Sequence, residues 1–485
     1  MKGVVRLLSR WWFQLVSPRG PRAFLFPFMY SIEVTRMEGA YRVMSTELSK
    51  RALLSKGALS AGVGLGVLGL FAERTSADTP FTTFAFPATG APTPRTMPDR
   101  LAEVINVRDF GAVGNGVNDD TRPIQAALDA AFTTGGIPHG TNSHLNRPVY
   151  FPTGYYKVYS PLMLRDVMGG HIFGASKSST RIEGSSVARV FDINGMSNTL
   201  IENLTVANPP LSGTVCFYLD WTNTGSVGLS DVEFVNVGVE SAYYGFRIAP
   251  SNHGGKNISM TAMYFSALVY GASIEGDDCI VSAPFGGSST NTGASFWIKK
   301  GSLFCGFQFA GEWGGVDILH ESAAGITVIY GARSENTNWI KCTAGRVVAY
   351  AFQFTGTLMA GQSGYAVDVS AGASVDLAGV RISCFNGPNV NGWVQGAGNI
   401  SLHATVFEAN PSGPLFLKNF TGKLTSYIGP VIFTYAQLPT ANAAEGLMLS
   451  MSNANTAAWG QPVTDAGANH ALVRYNGSAW TVVGI

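Results

Sequence analysis

The most constraining stretch of this chain is a run of some 55 residues that changes periodicity three times. Val104-Ile105-Asn106-Val107-Arg108-Asp109-Phe110 reads as a strand, and Gly111-Ala112-Val113-Gly114-Asn115-Gly116 follows as a turn in which Gly114 and Gly116 permit positive φ. Asp119-Asp120-Thr121 then precedes an amphipathic run with Ile124, Ala127, Leu128 and Ala131 on one face. Either aspartate can cap that helix, and Pro123 is tolerated in its first turn. After a loop, Val149-Tyr150-Phe151, a Pro152-Thr153-Gly154 turn and Tyr155-Tyr156-Lys157-Val158 give strand, turn, strand. The aspartates here read as capping residues and not as catalysts.

Downstream the chain repeats itself. Alternating apolar strands end at Val206, Phe234 and Phe265, and again at Phe309, Tyr330, Phe354, Ile382 and Phe407. Apart from the gap between Phe265 and Phe309, which predicts an extra coil or a long loop, the ends fall 21 to 31 residues apart. A β-rich period of that length fits one solenoid coil per repeat. Charged residues make up 13% of the chain, against about 25% in an average domain. With 58 Gly and 11% aromatics, this describes an all-β chain with many turns and a long core. Five widely spaced cysteines (Cys216, Cys279, Cys305, Cys342, Cys384) show no metal or redox spacing, and buried free thiols are expected.

The pairing N-V-x-D-F-G-A-x-G-x-G-x-x-D-D-T with V-Y-F-P-x-G-x-Y resembles the N-terminal region of the pectate-lyase superfamily, which includes rhamnogalacturonase-like, polygalacturonase-like and epimerase proteins and phage tailspikes. The resemblance implies a right-handed parallel β-helix with an N-terminal helical cap, spanning 99–430. It is specific for the fold, not for a reaction. From about Val431 the composition shifts, and Asn476-Gly477 between alternating strands predicts a small C-terminal β module over 431–485, weakly similar to tail-fibre modules. On the tailspike pattern the chain would assemble as a homo-oligomer, a trimer.

Residues 44–77 read as an export signal: Lys50, Arg51 and Lys56, then an uncharged run from Ala58 to Phe71, then Thr75-Ser76-Ala77. The run is too short for a comfortable membrane span. Ser49-Lys50-Arg51-Ala52-Leu53-Leu54 is similar to a twin-arginine motif with Lys for the first Arg. Residues 1–43 are then expected to be a non-native upstream extension, with the start at Met44 or Met37, and 78–98 a linker. Beyond residue 77 the chain holds 21 basic and 27 acidic residues, which does not suit nucleic-acid binding, tolerates neutral glycans and leaves cationic ligands or a divalent metal open; a polysaccharide partner is what the resemblance implies.

Two groups could carry chemistry. If Phe309 and Tyr330 are equivalent, Glu312 falls over Arg333. Trp313, Asp317, His320, Glu321, Glu335, Lys299 and Lys300 lie around them. Carboxylates for acid–base work, cations for an anionic sugar and Trp313 as a stacking platform would make a glycan groove. A solvent-facing ion-pair ladder is the plainer alternative. The second group, Gly276-Asp277-Asp278-Cys279-Ile280, is similar to the paired-aspartate element of polygalacturonases, but that family's remaining signatures are absent. Cleavage of an acidic or complex polysaccharide by hydrolysis or β-elimination, the latter with calcium or Arg stabilising charge, is the leading expectation. A non-catalytic glycan-binding or tailspike-like surface protein is the alternative.

Overall fold

The repeating strands stack in parallel, each pairing with its counterpart one coil further along. The computed structural model describes residues 5–11, 28–37, 40–45, 85–87, 90, 92–132, 146–222, 227–251, 255–266, 268–289, 291–310, 315–336, 338–357, 364–385, 394–408, 420–428, 432–433, 435–438, 443, 445–464 and 467–484. Of the expected signal segment 44–77, residues 46–77 lie outside them. Strands Val5–Trp11, Phe28–Met37 and Ala40–Ser45 form an antiparallel sheet in a unit ending at Thr83. Among the described residues no helix is long and apolar enough to cross a membrane.

The unit that begins at Phe84 is built on a parallel β-solenoid of about 9 turns with three faces, running to strand Lys423–Ile428. Sheet 1 runs from Leu162–Met168 through Val215–Asp220, Tyr244–Ile248, Tyr270–Ile274, Ala294–Ile298, Val316–His320 and Asn338–Cys342 to Val394–Gly396. Sheet 2 includes Ser302–Cys305, Ile326–Tyr330 and Arg346–Tyr350; sheet 3 includes Gln308–Ala310, Arg333–Ser334 and Gln353–Thr357. Because each strand alternates, one apolar set points inward on every coil. Phe191, Phe217 and Phe246 stack nearly flat, 5.1 and 5.0 Å apart, along the interior of sheet 1. Val347, Val375, Ile400 and Leu424 do the same for sheet 2.

The corner between sheets 2 and 3 is one left-handed residue wide in most coils: Asn203, Asn236, Ala262, Gly331, Ala351, Gly379 and Ala404 all have positive φ. Gly331, Ala351 and Gly379 each donate their N–H to a carbonyl of the next coil, so the ladder continues round the bend. That explains the regular period. The expected gap between Phe265 and Phe309 is filled by an extra coil, with Ser288 in register between them. The expected equivalence of Phe309 and Tyr330 is corrected: Phe309 lies beside Ser334, and Tyr330 ends a sheet 2 strand beside Tyr350.

The cap helix is as expected, but the expected strand over Val104–Phe110 is cut short: only Ile105–Asn106 pair, Val107–Phe110 form a 3-10 helix, and Asn115–Asp119, starting within the expected turn, is a strand. Helix Thr121–Phe132 buries Ile124, Ala127, Leu128, Ala131 and Phe132 against the first coil. Gly114 has φ +65°, and a Cβ there would stand 2.7 Å from the Tyr156 ring. The two aspartates divide the work. Asp119 Oδ1 accepts the Thr121 N–H at 2.9 Å, while buried Asp120 accepts Val113 N–H at 2.6 Å and Gly114 N–H at 3.0 Å. Ahead of the cap in sequence, part of the expected linker forms a hairpin, Ala85–Pro87 with Pro94–Thr96, followed by a short helix, Met97–Leu101. At the other end, Met448–Ala454, Asn469–Tyr475 and Trp480–Gly484 form antiparallel pairs, and Asn476 Oδ1 accepts two N–H groups of the predicted hairpin turn. Cys216, Cys279, Cys305 and Cys342 are buried free thiols; the Cys384 side chain lies outside the described residues.

Asp120→Ala leaves two backbone donors at the glycine turn without an acceptor and should cost about 3 kcal/mol, whereas Asp119→Ala removes a cap worth about 1 kcal/mol. Thermal midpoints of the two variants check the order; equal shifts would contradict this division of roles.

Candidate functional site

The residues picked out in sequence are dispersed by the coil register. Glu312 and Trp313 lie outside the described residues. Arg333 sits beside Gln308 and Gln353 on the outward side of sheet 3, so the Phe309–Tyr330 equivalence from which Glu312 was placed over Arg333 is not the register observed. Arg333 pairs with Glu335 at 2.6 Å, both substantially exposed. Asp277 and Asp278 occupy an exposed turn after a sheet 1 strand, where Lys300 Nζ lies 3.4 Å from Asp277.

Asp317 and His320 are inside the solenoid. Asp317 is fully buried and accepts hydrogen bonds from the Ser334 hydroxyl and from Asn336 Nδ2 (2.8 Å), both on the next coil. Burial pushes its carboxyl up to about 8, against the two hydrogen bonds. His320 takes the place that Ile274 and Ile298 hold on preceding coils and Cys342 on the next. Its Nδ1 lies 3.0 Å from Thr327 Oγ1, its Nε2 has no partner, and burial lowers its pKa to about 4. A substrate outside the solenoid reaches neither group. Both are interior polar residues, and the reason lies in the register rather than in composition.

What the register does assemble is a strip along the outward face of sheet 1. On each coil the residue between two inward apolar neighbours points out: Met163, Asp192, Tyr218, Arg247, Ser273, Trp297, Leu319 and Lys341 stand in one row. Beside them Glu275, Lys299 and Glu321 form a second row, and Tyr244 and Tyr270 a third. Tyr244 stacks on Tyr270 at 5.3 Å, and Tyr270 lies 4.4 Å from Trp297. Arg189 lies 3.4 Å over the Tyr218 ring and pairs with Asp192 at 3.1 Å. Arg247 grips Glu275 with two bonds of 2.9 and 3.2 Å, and Lys299 reaches the same carboxylate at 3.2 Å while lying 3.9 Å over Trp297. Burial opposes the charge on Glu275, but Arg247, Lys299 and the Ser273 hydroxyl prevail and hold its carboxyl below the usual range. Trp297 Nε1 donates to Glu321 at 2.7 Å.

Next to Glu321 the face dips into a concavity of about 300 Å³ lined by Leu319, Glu321, Asn338, Lys341, Thr343 and Tyr365. Of the residues expected at a site, Lys299 and Glu321 are here. Tyr218, Arg247, Glu275 and Trp297 escaped notice, although a signal existed: each follows or sits within a short apolar–x–apolar unit such as Phe246-Arg247-Ile248 or Phe296-Trp297-Ile298. The strip offers flat aromatic surface edged by charge, which suits the apolar faces and hydroxyls of sugar rings. Among the described residues no group of three His, Cys, Asp or Glu side chains could hold a metal ion.

A parallel β-solenoid with a helical cap at its N-terminal end and an aromatic, charged outward face defines the class of the fold: a capped parallel β-helix. Residues 104–224 match the family described as rhamnogalacturonase A/epimerase, pectate lyase-like. That stretch, about a quarter of the chain, is similar to a pectate-lyase-superfamily β-helix. The chain is 44% identical over 85 residues to mannuronan C5-epimerase AlgE4 of Azotobacter vinelandii, covering 16% of this chain and 13% of the epimerase. It is 53% identical over 53 residues to alginate lyase 7 of the same organism, covering 11% and 5%. The chain thus spans far less than two thirds of these relatives. Among solved structures, PfbA, a surface adhesin of Streptococcus pneumoniae, aligns over 79% of this chain and all of its own, at 12% identity and a TM-score of 0.43.

The interior pair makes a pH prediction. The Asp317 carboxyl is raised from 3.8 to about 8, so the stability it confers is complete below about pH 4 and is lost as pH rises towards 8. His320 is lowered from 6.5 to about 4, so its contribution is complete above about pH 6.5 and is lost as pH falls towards 4. The two slopes oppose each other between about pH 4 and 6.5, and only Asp317 acts from there to 8. Thermal midpoints across pH should show Asp317→Asn flattening the window from about pH 6.5 to 8, and His320→Leu tilting the nearly level window from about pH 4 to 6.5 so that stability falls as pH rises; unchanged profiles would contradict the assignment.

Proposed function

We propose that this protein acts on an acidic or complex polysaccharide held across the outward face of sheet 1, outside the cytoplasm. The observation that carries the reading is the continuous strip from Tyr218 to Trp297, opening into the concavity at Glu321 and Lys341. The matches to a mannuronan epimerase and an alginate lyase over the N-terminal part favour a uronate-containing polymer. Export is supported by the leader-like sequence at 44–77.

Bond cleavage by elimination requires a base near the sugar ring and a cation to stabilise charge at the neighbouring carboxyl. Glu321 is the base in this reading: it accepts from an indole N–H and, among the described residues, pairs with no cation. Lys341, lining the same concavity, supplies the positive charge. Glu275 is unsuited to the role, because Arg247 and Lys299 hold it ionised. A second reading, glycan binding without cleavage, is favoured by that same locked ion-pair network, which looks built to hold a surface rather than to move protons. Calcium belongs to the elimination reading as an added cation.

The test is incubation of the purified protein with alginate, polygalacturonate and neutral glucans, with and without calcium, following binding, new reducing ends and unsaturated uronates. Trp297→Ala should weaken binding about tenfold, the scale of one lost aromatic platform. Glu321→Gln should bind but form no product. Binding by the parent without product on the whole panel selects the second reading. Binding unchanged by Trp297→Ala overturns the site.

A further inference from the structure

On the outward face of sheet 1 the cations fall into two kinds. Those in the middle are already neutralised: Arg165 and Arg189 on Asp192, Arg247 and Lys299 on Glu275. Lys341, in the concavity at the C-terminal end, has no ion-pair or hydrogen-bond partner among the described residues. At the N-terminal end of the same row a cleft of about 450 Å³ opens between the cap helix and the first coil, lined by Gln125, Phe132, Met163 and Arg165 together with Arg122, which is exposed and likewise unpartnered among the described residues. Gln125 ties the helix to that coil through both the N–H and the carbonyl of Met163 (2.7 and 2.9 Å), so the cleft is fixed to the row. From Met163 to Lys341 the row crosses eight consecutive coils, a span of about 34 Å at the spacing of paired strands.

We propose that this face is one extended trough for a long anionic polysaccharide, gripped electrostatically at its two ends by Arg122 and Lys341 and supported between them by the aromatic strip. The inference rests on the sheet 1 reading above and adds to it a minimum ligand length and two charge-reading residues. Neutralised cations in the middle exert little pull on a passing carboxylate, whereas an unpaired cation meets one without first losing a partner. A polymer long enough to reach both ends gains the second contact intramolecularly, at high effective concentration, and a short oligomer cannot. Asp129 at one end and Glu321 and Asp368 at the other keep each grip modest, so discrimination comes from reaching both.

Calorimetry with the full chain and a ladder of purified oligouronates at about 0.1 M salt, low enough to leave surface charges partly unscreened, tests this. Affinity should climb with oligomer length and level off once the ligand spans about 34 Å, the length of eight stacked coils. Arg122→Ala and Lys341→Ala should each weaken the longest ligand roughly three- to fivefold, as expected for one exposed charge contact. For the shortest binding oligomer at most one of the two should matter. Arg122→Lys should retain most of the affinity, which separates charge from packing. Affinity that is flat with length, or long-chain binding indifferent to either substitution, overturns the trough while leaving the strip intact provided Trp297→Ala still weakens binding. Failure of every oligouronate to bind, with Trp297→Ala silent, overturns the underlying site as well.

Discussion

The coil-to-coil register of the parallel ladder is the constraint on which the rest of the structure depends. Once Phe217 is set over Phe191 and Phe246, every other side chain on those strands has its neighbour assigned one coil away. The same operation that stacks phenylalanines inward stacks Tyr218, Arg247, Ser273 and Trp297 outward. No loop has to be ordered to build the strip. Its stiffness is borrowed from a core in which whole rows are inaccessible to solvent, and a rigid platform loses little entropy when a ligand settles on it.

Polar residues follow the same logic with the opposite outcome. Ser288 and Ser334 alternate with Phe265, Phe309 and Phe354 along the inside of sheet 3. The volume left by each serine is where polar partners fit, and Asp317 and Asn336 close around Ser334. Such an enclosed group is costly unless satisfied or neutral, which fits a carboxyl raised to about 8. An interior seam of this kind sits one wall thickness from exposed Arg333 and Glu335, yet the two sets share no chemistry, because alternate residues of one strand point to opposite sides.

Much of the fold was legible from particular residues. Gly114, Gly116, the paired aspartates and the amphipathic run announced the cap, and apolar alternation announced the coils. The site was less legible because sequence distance says little about which residues meet across coils. Reading Tyr330 as the partner of Phe309 misplaced one coil, since the left-handed corner residue Gly331 and the short strand Arg333–Ser334 follow it. That slip set Glu312 over Arg333. It also drew attention to Asp317 and His320 as ionisable residues, when the informative property was their inward parity. Lys299 was noticed for its charge, but its partner Glu275 lies one coil back, 24 residues away in sequence, and is shared with Arg247 on the coil before that.

The account stands on the outward face of sheet 1 being where a polysaccharide lies. A crystal structure of the protein with a bound oligouronate measures that most directly. The account predicts sugar rings over Tyr244, Tyr270 and Trp297, with the chain running along the row from Met163 towards Lys341. Sugar bound instead at the Arg333–Glu335 pair on sheet 3, or at the Asp277–Asp278 turn, with the sheet 1 strip bare, would contradict it.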